Sequence, residues 1–159
     1  MECSAKGGTS SGSCAMGFGV CCVFIFISSS MPGMFSVRHK VAYLQTPNYP
    51  QAQTTAFIQT VKLEPYNDNV CQIRLDFMDF QSDGGSAVDM PCDTDMFEVS
   101  GIGGKDLGIG VLCGMNTYQN LYIHLNGTIR GFPAIKTTRR SSSRNARPYM
   151  WNVKITQVS

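Results

Sequence analysis

Seven of the chain's eleven carboxylates fall in one stretch: Asp76, Asp79, Asp83, Asp89, Asp93, Asp95 and Glu98. Hard oxygen donors gathered in this way suit a divalent cation such as calcium. The plainer reading is a solvated acidic loop. A second cluster has the opposite sign. From Leu107 onward there is no Asp or Glu, and Arg130, Lys136, Arg139, Arg140, Arg144, Arg147 and Lys154 supply seven positive charges. Arg139, Arg140, Arg144 and Arg147 form the candidate surface for an acidic partner such as a sulfated glycan. Here too the plainer reading is a solvated basic loop. Asn126-Gly127-Thr128 is a glycosylation sequon at Asn126 and also a hairpin-type turn.

Nucleophilic chemistry finds little support. His39 lies in a basic loop beside Arg38 and Lys40, and His124 lies among apolar neighbours of a strand-like run. Neither stands near a nucleophile motif, and no GxSxG occurs. Gly101-Ile102-Gly103-Gly104-Lys105-Asp106 lacks the spacing of a phosphate-binding loop and fits a tight strand connection. The arginine cluster has no interleaved aromatics, so nucleic acid is not expected as a partner. The expected protein is not an enzyme.

Cysteine is abundant, with seven in 159 residues, and there is no CxxC pair and no Cys/His cluster. Zinc is therefore improbable. Disulfides are the economical reading and imply an oxidising, extracellular setting. Cys3, Cys14, Cys21 and Cys22 sit among Gly, Ser and Thr in a segment too poor in apolar residues to fold on a core of its own. The pairing of these four and of Cys71 is left open by the sequence.

The elements that must position these groups read as strands. Cys71, Ile73, Leu75 and Phe77 alternate with Gln72, Arg74 and Asp76, the period of a strand with one buried face. Cys71 is thereby expected to point inward. Met96–Ser100, Phe57–Leu63, Leu107–Leu112, Leu121–Leu125 and Trp151–Thr156 read as further strands. Residues 28–53 read as loop, with Thr46-Pro47-Asn48-Tyr49-Pro50 an extended turn. Lys136–Arg147 reads as a polar surface loop. Met16–Ile27 is the most apolar run and reads as one buried strand. At twelve residues it is well short of the roughly 20 needed for a membrane span. A signal-peptide core is the alternative, but Glu2, Lys6, Cys3 and Cys14 precede it. No clear export signal is expected, and Met1 reads as a misplaced or internal start. With about eight strands and 43% hydrophobic content, the chain is an all-β sandwich or barrel. Residues 1–27 are taken as a cysteine-rich segment and 28–159 as the β domain.

Four pieces in order carry a family resemblance. They are the turn Thr46–Pro50, the strand Ile73–Phe80, Cys92-Asp93-Thr94-Asp95-Met96-Phe97-Glu98-Val99, and Leu112-Cys113-Gly114. Together, over roughly 40–159, they resemble the CUB domain. The N-terminal GFGVCC and the closing WNVKITQV are similar to a set of secreted arthropod proteins in which such a segment precedes CUB-like domains. That likeness implies a longer chain, which would account for the odd cysteine. The resemblance implies a jelly-roll β-sandwich of antiparallel strands that is secreted, non-catalytic and engaged in contact with an extracellular protein or glycan.

It also implies a Cys92–Cys113 bridge, twenty-one residues apart, contributing roughly 3 kcal/mol. The family's first bridge is missing, since Gln59 stands at the cysteine position and Val61 at the aromatic one. Cys71 has no family partner, and the N-terminal cysteines are where one is sought. Many CUB domains hold calcium with one Glu and two Asp. Asp95 occupies the position of one Asp. The stretch 121–127 offers no acid for the second, and Glu64 is a poorly placed match for the Glu. No cofactor is expected unless weak calcium binding uses this incomplete set, with Asp79 as the other named carboxylate. The alternatives are a basic glycosaminoglycan- or anion-binding module and an accessory domain of a larger secreted protease.

Overall fold

The computed structural model describes residues 2–28, 33–84, 92–125, 131–140 and 146–159. A four-residue helix, α1 (Glu2–Ala5), leads into a two-stranded antiparallel hairpin of β1 (Thr9–Cys14) and β2 (Gly19–Val23). The strands that follow are β3 (Ile25–Ile27), β4 (Gly33–Val37), β5 (Val41–Gln45), β6 (Phe57–Leu63), β7 (Gln72–Gln81), β8 (Asp95–Ser100), β9 (Asp106–Leu112), β10 (Asn120–His124), β11 (Ala134–Arg139) and β12 (Met150–Val158). They form two five-stranded sheets, ordered β10-β7-β12-β5-β3 and β4-β6-β11-β8-β9. All pairings are antiparallel except at two edges, where β3 runs parallel to β5 and β4 parallel to β6.

The core lies between the sheets and follows from alternation. Ile73, Leu75 and Phe77 of β7 and Trp151, Val153 and Ile155 of β12 face Val61, Leu63, Phe97, Val99 and Ile135 of the other sheet. Phe77, Phe80 and Phe97 meet pairwise edge to face at 5.3–5.5 Å, and Trp151 stacks on Phe80 at 5.8 Å. Such pairs add about 0.5–1.5 kcal/mol each beyond their buried area.

Three expectations change. Residues 28–53 are not all loop. Val41–Gln45 buries Ala42 and Leu44, an alternation too short to stand out beside the prolines. Lys136–Arg147 is not simply a surface loop. Its first residues belong to β11, which lies between β6 and β8 with Thr137, Thr138 and Arg139 buried. Threonine fits a pleated ladder well, so polarity alone was a poor guide. The apolar run 16–27 is divided, with β2 in the hairpin and β3 at a sheet edge, where Ile25 and Ile27 are exposed.

The cysteines fall into two groups. Cys3 bridges Cys22 and Cys14 bridges Cys21, tying α1, β1 and β2 together. Gly8 is required there. A Cβ at Gly8 would lie 2.5 Å from the Cys22 sulfur and 3.0 Å from that of Cys3. Cys92 bridges Cys113 at the end of the sandwich. Cys71 precedes β7 and stays an exposed thiol, which corrects its inward placement. Its amide donates to the Val158 carbonyl at 2.9 Å. No described helix is long and apolar enough to cross a membrane.

Candidate functional site

One residue of each cluster, Asp95 and Arg139, meets the other at one end of the sandwich. Residues Asp95, Phe97 and Val99 alternate inward along β8, so the first residue of the strand aims its carboxylate toward the interior. Asp95 stands opposite Arg139 in the β8–β11 ladder. Arg139 Nη1 donates to Asp95 Oδ2 at 2.5 Å and to the Arg147 carbonyl at 3.0 Å. Asp95 is 3% exposed and Arg139 1%. The guanidinium also lies over the Tyr149 ring at 5.3 Å. Burial pushes the Tyr149 phenol up to about 12, and its hydroxyl donates to the Thr55 carbonyl.

The surrounding loops are knitted to this pair. The Asp83 amide donates to Asp95 Oδ2 at 2.8 Å. Ser82 and Gly114 exchange two hydrogen bonds at 2.9 Å, beside the Cys92–Cys113 bridge. The Arg140 amide donates to the Thr94 carbonyl. Asp95 therefore works as a bolt holding the loop end in shape.

The resemblance allows weak calcium binding at an incomplete ligand set that names Asp95 and Asp79. Asp95 Oδ2 accepts from a guanidinium and an amide, while its buried Oδ1 has no hydrogen-bond partner among the described residues. Asp79 is elsewhere. It lies on the outer face of the first sheet, where it accepts from Tyr49 Oη at 3.2 Å. Burial, and after it the same carboxylate, raises the Tyr49 phenol above its ordinary value. Glu64 accepts from Ser36 Oγ, away from Asp95 in the chain fold. Among the described residues, no group of three or more His, Cys, Asp and Glu is arranged to hold a metal.

The four-arginine set also changes. Arg139 is neutralised and buried, so it is not part of an anion-binding surface. Arg140 and Arg147 are exposed. Arg144 and the sequon residue Asn126 lie outside the described residues. His39 stacks on Phe24 at 3.9 Å, and burial lowers its pKa. His124 Nδ1 lies 3.1 Å from Gln72 Nε2 on the outer face.

One surface feature was missed in the sequence. On the outer face of β7, β10 and β12, an open groove of about 630 Å3 is lined by Arg74, Asp76, Met78, Tyr122 and Lys154, among others. Arg74 holds Asp76 Oδ1 at 2.6 Å, reaches Tyr122 Oη at 3.0 Å and lies 5.4 Å from that ring. The signal was present in the outward positions of the alternation, but cross-strand neighbours are invisible without the register that places Tyr122 opposite Arg74.

No protein-family model matches the chain, and no curated protein sequence matches it. Solved structures do share its fold. The full extracellular region of zebrafish Gpr126/Adgrg6 superposes with a TM-score of 0.54 at 15% identity, over 81% of this chain and 15% of that one. The CUB1-EGF-CUB2 domains of rat MASP-1 give 0.50 at 19% identity, over 77% of this chain and 39% of theirs. The CUB2 domain of MASP-1 bound to Ca2+ gives 0.47 at 19% identity, over 78% and 96%. The chain thus spans well under half the length of the first two. It has the CUB-like jelly-roll β-sandwich, with a small disulfide-rich N-terminal extension.

Proposed function

We propose that the chain is an extracellular, non-catalytic interaction module that grips a protein partner with the loops at the Asp95 end. The observation that supports this most is the buried Asp95–Arg139 pair. It ties Asp83 and Arg147 to the sandwich without a bound ion, and such preorganisation lowers the ordering cost of binding. Calcium has no place in this reading. The three disulfides support an oxidising setting. Kinship with secreted arthropod proteins rests on the N-terminal GFGVCC and the closing WNVKITQV.

The second reading is an anion- or glycosaminoglycan-binding surface. It is favoured by the exposure of Arg140 and Arg147 on either side of the buried Arg139. The two readings part in one experiment. The purified chain is immobilised and offered extracellular protein ligands and heparin, with and without chelator. Binding of a protein that survives high salt and chelator, and is lost on substituting loop residues near Thr94, supports the first. Retention on heparin alone, released by salt, overturns it in favour of the second. Turnover of peptide or ester substrates would overturn both.

A further inference from the structure

β10 ends its sheet, with no described strand beyond it. The Leu125 amide donates to the Cys71 carbonyl, and the Phe77 amide donates to the Gln119 carbonyl. In an antiparallel ladder alternate residues turn their main-chain groups to opposite sides. Residues 119, 121, 123 and 125 therefore pair with β7, and Asn120, Tyr122 and His124 direct their N–H and C=O groups to the open side. This free row repeats about every 6.8 Å, and all three residues are exposed. β10 carries none of the usual devices that blunt an edge: it pairs without a register shift and holds no proline or lysine. β9, at the edge of the other sheet, is blunted. Its pairing with β8 shifts register, and Gly108 and Gly110 take φ angles of 70° and 73°. Between β9 and β10, at the far end of β8 from Asp95, lies a cleft of about 380 Å3. Its walls include Leu107, Ile109 and Leu121, each only partly buried. Lys105 and His124 also line it, and among the described residues no carboxylate does. Asp106 accepts from the Gly108 amide at 2.8 Å instead. Gln72 Nε2 donates to His124 Nδ1 at 3.1 Å, which leaves the ring's hydrogen on Nε2 as a donor.

We propose that β10 is a docking edge for an extended, acidic segment of a partner protein, which adds a strand to the sheet, sets apolar side chains into the cleft and brings a carboxylate to Lys105 and His124. The free row of main-chain groups names the occupant. Only another peptide backbone supplies donors and acceptors at that spacing, and alternate side chains of such a strand fall on opposite faces. A small amphiphile would cover the apolar walls and leave the row unpaired. The basic lining without a carboxylate selects the sign of the partner's charge. This edge is separate from the loops at the Asp95 end, so the proposal stands or falls without them.

The test is selection of short linear peptides from a phage-displayed random library on the full chain, in a Cys71→Ser background that removes the exposed thiol as a source of crosslinks. Selected sequences are expected to alternate branched apolar residues with Asp or Glu. Titrated into isotope-labelled protein, they should shift the amide signals of Lys105, Leu107, Asn120, Tyr122 and His124. Methylating alternate peptide amides should weaken binding about tenfold or more in one frame, through lost main-chain hydrogen bonds, and little in the other. Tyr122→Pro removes an outward N–H and no bond to β7, so it should abolish binding with circular dichroism unchanged. Lys105→Glu, at an exposed position, should weaken the acidic peptides and spare their Asn and Gln analogues. Failure to enrich alternating sequences overturns the proposal, as do shifts confined to other strands or equal effects from both methylation frames. Decanoate that shifts the cleft residues when no peptide does assigns the cleft to a small amphiphile instead.

Discussion

Phe77 and Phe80 lie three residues apart on one strand, yet their rings meet edge to face at 5.3 Å on the same side of the sheet. Strict alternation would put them on opposite faces. The cause is a bulge. Asp79 pairs with Asn152 and Phe77 with Val153, so Met78 is an extra residue with no partner on β12. Met78 points to solvent, and the slip turns Phe80 inward under Trp151.

Inserting an alanine between Asp79 and Phe80 is expected to shift the alternation by one residue, turning Phe80 outward and expelling it from the core. A lost buried Phe costs about 3–5 kcal/mol, so the urea midpoint of the insertion variant should fall steeply. Met78→Ala, which keeps the count, should change it little. Equal effects from both changes would sink the bulge account.

Removing one member of the Asp95–Arg139 pair leaves a buried charge unpaired. Asp95→Ala or Arg139→Ala is expected to lose about 3–5 kcal/mol, while the double change Asp95→Leu/Arg139→Met should recover most of it. Chemical denaturation of the four proteins closes the cycle. Independent, additive losses would argue against the pair as one unit.

Calcium at millimolar concentration is expected to leave the melting temperature unchanged, since a ligand that binds the folded chain raises it by mass action. Calorimetry showing heat of binding, lost in Asp95→Asn, would reverse the assignment of Asp95 to Arg139.

Replacing Arg140 and Arg147 together by Gln is expected to lower the salt needed to elute the chain from heparin, with no change in stability, because both are exposed. Weakened retention from screened surface charge follows the Debye length of about 8 Å at physiological salt. Unaltered elution would place any anion site elsewhere.

His39 binds its proton less readily in the fold than in the open chain, because stacking against Phe24 withdraws it from water. With the folded pKa below 6.5, the unfolded state holds more protons as pH drops. Stability is therefore fully present above 6.5 and declines as pH falls through and below it. Denaturant midpoints at neutral and mildly acidic pH should show this slope, and His39→Phe should flatten it.

The alternating strands were legible in the sequence because each carries its own burial signal. Ile73, Leu75 and Phe77 fall inward as expected, as do Trp151, Val153 and Ile155. What was not legible depends on partners distant in sequence. Arg139 reads as a surface charge until Asp95, 44 residues away, is placed opposite it. Thr137 and Thr138 read as loop until β6 and β8 flank them. Asp95 stood out in the sequence through its place in the Cys92–Val99 motif, while its guanidinium partner from the same chain carried no local signal. The tip of the β1–β2 hairpin was hidden differently. Met16 and Phe18 look like core residues by type, yet both are fully exposed beside the Cys14–Cys21 bridge, where Ala15 and Met16 take positive φ angles.

The bolt at the loop end also constrains how this chain can change over generations. Losing either member first leaves a stranded charge in the sandwich, a step that selection against unfolding removes. Substitutions at positions 95 and 139 must therefore travel together, or pass through a neighbour able to take over the orphaned group. The exposed side chains of Arg140 and Arg147 beside them are under no such tie. Descendants of this chain are free to rewrite what the loops touch while the fastening beneath stays as it is.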